Sequence, residues 1–515
     1  MEQLLAAPSR PGRRGRNDRG GRSQGRSSDR QNRGRRQVNT FAFDSILNTN
    51  RVPGSQVEFS NVRALSGLPA AAWKILLVGQ RTSTGTVAAL LPRRITQVDQ
   101  GAAFFGRGSM LAAMVAAALA ANGSTELWAI AADDNAGGTA ATYTMTVAGQ
   151  ATGAGSLVPM IAGVRIPVAV ANSDTATTIA TALAAAINAN PDLPVTASSQ
   201  AGVVTLTCRH KGTCGNDIDV RLNHYDGEAV PAGITCTIAA ATAGATNPDL
   251  TPVFAAIGDE QYQAIALGIN DAANLTVADT ELTSRWGPVR QIAGRAFAGL
   301  SGSFSTCASF GSARNGIHTT VIGGFKVPTP PWKIAAGFAA IAAFNLQVDP
   351  ARPLTDLVVP GVIAPQIPHR FTKPERELLL KSGISTFRVL PGGDVAIERL
   401  ISCYQLNSYG FADPSWLDIS TTATLDYYRY SWRSRMSQKF PRAKLTDDTI
   451  SAVRAETIAL ARDWQDAGLM ESADGFIAGL VIERDTTNRT QLNLLMTPDV
   501  VNGLLQLAAR IEFIL

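Results

Sequence analysis

Three groups of residues carry chemistry-bearing side chains at close spacing: a glycine-bounded loop, a cysteine-histidine cluster and a basic-aromatic stretch. Gly79 to Thr86 (GQRTSTGT) follows Trp73 to Val78, an apolar run that reads as a strand buried on both faces. A phosphate loop at that place needs four residues between its glycines, so that successive N–H groups surround the phosphates, and a lysine after the second. Here five residues intervene and Thr86 follows Gly85. The spacing reads as a polar turn. Cys208, His210, Cys214 and His224 offer zinc-type atoms, but this run lacks the paired CxxC or HxxxH spacing that wraps four ligands around a tetrahedral ion. The four histidines (those two, His318 and His369) lie in no GxSxG, HExxH or paired-carboxylate motif. Neither enzymatic activity nor a cofactor or metal is expected.

The third group runs from Arg429 to Lys444, where Arg429, Arg433, Arg435, Lys439, Arg442 and Lys444 interleave with Tyr430, Trp432 and Phe440. At helical spacing Leu425, Tyr428, Trp432, Met436 and Phe440 share one face. The aromatic face is therefore expected inside and the charges in solvent. An acidic protein partner is the second reading of those charges, and nucleic acid the third.

The elements that must hold these residues come from a chain of 515 residues, enough for about three domains. With 45% apolar and 17% charged residues its body must fold, and with only 6% aromatics its cores must be aliphatic and small. The longest apolar stretches, Met110 to Ala121 and Ile334 to Phe344, are twelve and eleven residues, short of the ~20 that cross a bilayer. They read as buried helices, and no membrane insertion is expected. Leu4 to Ala7 is too short for a secretory signal. Five cysteines fit buried thiols in a reducing compartment better than a disulfide framework.

Charge is unevenly placed. The first 37 residues hold eleven arginines against Glu2, Asp18 and Asp29, a balance of +8, whereas the rest stands at −3 with 35 basic and 38 acidic side chains. Pro11 to Arg36 has no apolar residue to bury and is expected to be disordered. It reads either as a nucleic-acid-binding tail or as sequence upstream of a true start at Val38 through a GTG codon. A tryptic peptide recovered from residues 1–37 would exclude the second hypothesis.

Hydrophobic patterning predicts a mixed α/β chain in five parts: 1–40, the arginine tail; 41–132, the first part of an α/β body; 133–248, an inserted β-rich domain; 249–370, the second part of the body; and 371–515, a C-terminal α/β domain. Within the insertion, Ala176 to Ala189 is expected as a helix capped by Ser173 or Asp174. Thr372 and Glu375 have the spacing of a capping box. Ile450, Val453, Thr457, Ala461 and Trp464 mark a second amphipathic helix in the last part. Phe476 to Ile482 and Leu492 to Met496 are expected as strands, and Leu505, Leu507, Ala509, Ile511 and Phe513 alternate as in a closing strand.

The segments WKILLVGQRTSTGT, FFGRGSML, GTCGNDIDVRLN, LPGGDVAIERLISCYQLNSYG, TLDYYRYSWRSR, FPRAKLTDD and PDVVNGLLQLAARIEFIL, in this order, resemble the tail sheath protein of Mu-like contractile-tailed phages and prophages. The resemblance implies a structural subunit that stacks in six-membered rings around a tail tube and contracts without nucleotide. It implies partners: itself, the tube, the baseplate and the tail terminator. It implies a virion tail assembled in the host cytoplasm, with the insertion on the outer surface and the C-terminal domain facing the tube. Strand-donating arms would be Gln56 to Ser60, with Val57 and Phe59, and Leu505 to Phe513. The receiving sheet would hold Phe476, Leu480, Ile482, Leu492 and Leu494. The arginine tail is foreign to that family, and the segment after Asp447-Asp448 is shorter than usual.

Overall fold

The computed structural model describes residues 68–69 and 71–514, so the arginine segment and the expected Val57–Phe59 strand lie outside the described residues. The body begins with β1 (Lys74–Gln80), β2 (Arg93–Ile95), α1 (Val98–Phe105), α2 (Met110–Ala121) and β3 (Glu126–Ala132). Ile75 to Val78 have no exposed surface. Each such side chain contributes about 1.5–3 kcal/mol by leaving water, which explains why an unbroken apolar run, and not an alternating one, makes this strand.

The chain then leaves the body for a β-rich insertion: β4 (Ala140–Gly149), β5 (Gly155–Leu157), β6 (Pro159–Ile161), β7 (Val164–Arg165), β8 (Val168–Val170), α3 (Ala176–Asn188), β9 (Val195–Gln200), β10 (Val203–Lys211), β11 (Val220–Leu222) and β12 (Ile234–Thr242). Its main sheet has the order β12-β4-β10-β9, all antiparallel. Tyr143, Met145 and Val147 alternate inward along β4, and Ile179, Leu183 and Ile187 of α3 are buried with them in the hydrophobic core. The α3 cap is Thr175, whose hydroxyl accepts from Thr178 N–H, and not Ser173 or Asp174. Ser173 instead adopts a φ of 72°, in the turn before the helix.

The body resumes with α4 (Thr251–Ile257), β13 (Ala264–Leu267), α5 (Ala272–Trp286), β14 (Arg295–Ser301), α6 (Phe304–Ser312), β15 (Thr319–Gly324), α7 (Pro331–Val348), α8 (Lys373–Lys381), β16 (Ile384–Val389) and β17 (Val395–Arg399). The eight-stranded sheet has the order β17-β16-β15-β14-β13-β1-β3-β2. Its six inner strands are parallel and its two edges antiparallel. Helices α2 and α7, the two apolar runs of the sequence, pack on each other and on this sheet. The capping box forms at α8: Thr372 accepts from Glu375 N–H while the Glu375 carboxylate accepts from Thr372 N–H.

The last part comprises α9 (Ile419–Lys439), α10 (Asp447–Asp466), α11 (Ala473–Gly479), β18 (Val481–Arg484) and β19 (Leu492–Leu495). It has a core of its own around Tyr428, Leu460, Trp464, Met470 and Phe476. Ile419 and Ala423, at the start of α9, belong to the body core instead. One helix therefore serves both cores.

Two expectations fail here. Phe476 does not lie on a strand: Ser472 accepts from Gly475 N–H and opens α11, so Phe476 and Leu480 are buried on and just after a helix, and the strand starts at Val481. A short apolar run is equally compatible with a buried helical turn, and the Ser472 cap decides between them. The run Leu505 to Phe513 forms no strand either. Its alternation can be satisfied only by a neighbouring strand, and among the described residues it pairs with none.

A candidate subunit interface

The Gly79–Thr86 loop is filled by protein. Thr82, Thr86 and Val87 donate their N–H groups to the carbonyls of Phe105, Ala103 and Phe104, at 3.0, 3.2 and 3.0 Å. A Cβ on Gly85 would stand 2.5 Å from the Phe104 carbonyl oxygen. The amides that would cradle a phosphate already hold the end of α1.

The cysteine-histidine cluster fastens the insertion to the body. His210 accepts Met110 N–H through Nε2 (3.0 Å), which puts its proton on Nδ1, facing Asp134 Oδ1 at 3.0 Å. Lys211 N–H donates to the other Asp134 oxygen (2.9 Å), Gln80 Nε2 donates to Asp134 Oδ1 (2.8 Å), and Cys214 Sγ donates to Gln80 Oε1 (3.0 Å). Burial pushes the Cys208 thiol up to about 12 and the Cys214 thiol higher still, so both are protonated at neutral pH. His224 lies apart, beside Arg221. On the same side, Asn270 Nδ2 bonds Gly299 O (2.9 Å) and Asp217 Oδ2 (3.3 Å). The insertion thus occupies the carboxyl ends of the parallel strands, where open α/β sheets usually bind ligands.

The basic stretch divides. Arg429 lies over the Trp286 ring at 4.4 Å and donates to the Trp286 carbonyl at 2.7 Å, while Arg435 pairs with Asp463 at 2.6 Å. Both are partly buried, contrary to a wholly solvated charged face. Arg433, Lys439, Arg442 and Lys444 are exposed, with Lys439 3.5 Å from Glu456. Trp286 also donates to Asp426 Oδ1 at 2.6 Å. Trp286 at the end of α5 is therefore the clasp between body and α9, a role no sequence motif signals.

The β18–β19 hairpin and the terminal segment both expose apolar side chains in the last part. Val481 pairs with Leu495, and these two side chains are 46% and 58% exposed. Ile482 packs on the local core, and the ladder continues through Ile482 with Leu494 and Arg484 with Leu492. Both outer edges of this two-stranded sheet are unpaired among the described residues. The chain then returns along α11, with Met470 bridging Val500, and passes Pro353 at Gly503, where a Cβ would stand 2.3 Å from that ring. Beyond it Leu507, Ile511 and Phe513 are at least 80% exposed. Ala509 is exposed with them. Leu505 touches the cleft between Pro353 and Asp418.

Three family models match consecutive parts of this chain: the phage tail sheath protein beta-sandwich domain at residues 136–235, the central domain at 243–403 and the C-terminal domain at 412–514. The Mu-like prophage FluMu tail sheath protein of Haemophilus influenzae is 37% identical over 487 residues, covering 92% of this chain and all of that protein. The chain belongs to the phage tail sheath family. It is a structural subunit of a contractile tail of the Mu-like kind, and the matches support that reading and not a nucleic-acid-binding protein. Among solved structures, the sheath tail protein DSY3957 of Desulfitobacterium hafniense matches at a TM-score of 0.46 with 13% identity, covering 87% of this chain and 100% of that one. The helical sheath of the anti-feeding prophage in its contracted state matches at 0.46 with 11% identity, covering 90% and 99%.

Proposed function

We propose that this sheath subunit polymerises as stacked six-membered rings around a tail tube and contracts to drive the tube through the host envelope, with no catalytic step. The segment Leu505 to Phe513 of one subunit adds a strand to the β18–β19 hairpin of its neighbour, and Gln56 to Ser60, including Val57 and Phe59, donates a second. The acceptor residues are Ile482, Leu492 and Leu494, supported from beneath by Phe476 and Leu480. The insertion, 133–248, faces outward, and the last part, from α9 at Ile419 onward and so shorter than the expected 371–515 because α8, β16 and β17 join the body, faces the tube. Arg433, Lys439, Arg442 and Lys444 meet the tube or an adjacent subunit, while Arg429 and Arg435 hold α9 in place for them. Baseplate and terminator proteins bound the polymer, which is assembled in the host cytoplasm. A change between two packings of the same surfaces supplies the work, so no nucleotide is needed.

The observation that carries this reading is that one chain presents both an exposed apolar segment and a two-stranded sheet whose edges are open among the described residues. Such surfaces are an aggregation hazard in a monomer and a joint in a polymer. Negative-stain microscopy of the purified protein tests it. Tubes or rings are expected, and monomers that persist even with the tail tube present would overturn it.

A further inference from the structure

The two larger sheets end in four strand edges, and three of them are protected. The outer side of β17 is covered by the chain at 356–359: Asp356 N–H donates to Ile397 O, Ile397 N–H to Leu357 O and Val359 N–H to Val395 O, at 2.8, 2.9 and 2.9 Å. At the other end of that sheet β2 is three residues long and exposes Arg93 and Arg94. In the insertion the outer side of β9 is stopped by the end of α3, where Asn188 Oδ1 accepts from Ala197 N–H (2.9 Å) and Asn188 Nδ2 donates to Ala197 O (2.7 Å). Covering, shortness and charge are the means by which sheet edges are kept from pairing with other chains.

The fourth edge, β12, is long, uncharged and uncovered. Its sequence ITCTIAAAT holds no proline, and Ile234 to Ala240 pair residue by residue with β4, the one irregularity falling between Ala240 and Thr242. Among the described residues no strand pairs with its other side. The register shows which groups point there. Val147 N–H donates to Gly202 O, toward β10, so its partner Cys236 turns its own N–H and C=O away from β4, and Ile238 does the same two residues on.

This edge is also complementary to itself. Ile234-Thr235-Cys236-Thr237-Ile238 reads the same in both directions. An antiparallel copy centred on Cys236 sets Ile234 against Ile238, Thr235 against Thr237 and Cys236 against its counterpart, with outward N–H and C=O groups facing each other. Cys236 and Ile238 lie half-buried against the insertion's core, which the isoleucines and cysteine of a second copy would extend, while the threonines pair on the exposed face. Cross-strand pairs of β-branched residues and of threonines are favourable ones.

We propose that β12 pairs antiparallel with β12 of a second copy, centred on Cys236, joining two insertions into one eight-stranded sheet in subunits not yet assembled. Such a contact is two-fold and closes on itself, so it yields a dimer and does not propagate. Rings stacked along one tube relate their subunits by rotation about one axis and translation along it, with no two-fold between neighbours. The pair therefore holds subunits outside the stack. The strand pairing stands without the sheath reading above, and only its placement before assembly rests on that reading.

The test oxidises the full chain with diamide, both in the fraction left in solution after tubes are sedimented and in the tubes. Directly opposed, hydrogen-bonded residues of an antiparallel pair have Cα atoms about 5.5 Å apart, inside the roughly 4.4–6.8 Å that a disulfide spans. Cys236 is half-buried and the other four cysteines are buried. The expected product in solution is a disulfide-linked pair of twice the 54.2 kDa of one chain, lost in Cys236→Ser. Thr235→Lys with Thr237→Lys sets like charges opposite each other on the exposed face and should lower the yield about tenfold, whereas Thr235→Glu with Thr237→Lys sets opposite charges together and should restore it. No linked pair, or a yield that the two double variants change alike, overturns the pairing. A pair linked equally in tubes overturns its placement before assembly. Protein that never forms tubes overturns the sheath reading and with it that placement, while the linked yields still decide the pairing.

Discussion

His210 Nε2 accepts the backbone N–H of Met110 at 3.0 Å, joining the inserted domain to the first turn of a body helix 100 residues earlier. The same ring faces Asp134, which also receives Gln80 and Lys211, so one imidazole completes a buried polar network at the junction.

Removing that imidazole should loosen the junction. His210→Phe keeps the volume but leaves the Met110 N–H and part of the Asp134 carboxylate without partners, at a cost of about 2–4 kcal/mol. Chemical denaturation of the variant is expected to show the loss, and proteolysis should cut first near Asp133 to Thr139 or Gly244 to Pro248, where the chain crosses between the two parts. Stability equal to the unaltered protein would show that the network contributes nothing net.

Asp426 predicts a pH dependence. Burial raises its carboxyl to about 6 from an ordinary value of 3.8, against the opposing pull of the Trp286 indole, Arg429 and Arg295. The folded state thus holds its proton more tightly than the unfolded chain. This group's contribution is full below about pH 4, declines as pH rises through 6 and is flat above. Asp426→Asn keeps an oxygen for the Trp286 N–H and removes the decline. At pH 7 the variant should be more stable by roughly 1–2 kcal/mol, and the slope of melting temperature between pH 4 and 6 should be flatter. An unchanged slope refutes the assignment.

Phe476 should matter to the core and not to an edge. It meets Trp464 edge-on at a centroid distance of 6.1 Å and is 1% exposed. Phe476→Ala is expected to cost about 3–5 kcal/mol in the unfolding of the last part. A loss below 1 kcal/mol would place the side chain elsewhere.

Deleting the chain after Gly503 should separate folding from assembly. The removed side chains are largely exposed, so the melting temperature of the dispersed subunit should move by less than about 2 °C. Tubes or rings should be lost. Tubes of normal appearance from the truncated protein would exclude Leu505 to Phe513 as a joint.

Much of the fold was legible where local and tertiary signals agree. The buried run at β1, the helix from Met110 to Ala121 and the capping box at Thr372 each combine a pattern with a stop signal. The terminal alternation was equally plain, yet it produces no strand, because alternation marks a face and supplies no ladder partner, and none stands beside it among the described residues. The Phe476 run reads as a strand by its apolar residues alone, and the Ser472 cap is what turns it into a helix. The Trp286 clasp and the His210 network were not legible at all: their partners stand 140 and 100 residues away in sequence, and no spacing rule spans such gaps.

In the joint proposed above, the segment beyond Gly503 would also be a leash. Eleven residues, Leu504 to Ile514, follow that anchor among those described. Fully stretched they reach about 36–40 Å. A surface gripped by these residues would have to stay within that radius of Gly503 throughout any rearrangement of subunits, so their reach would cap how far neighbours can slide or turn before the grip fails.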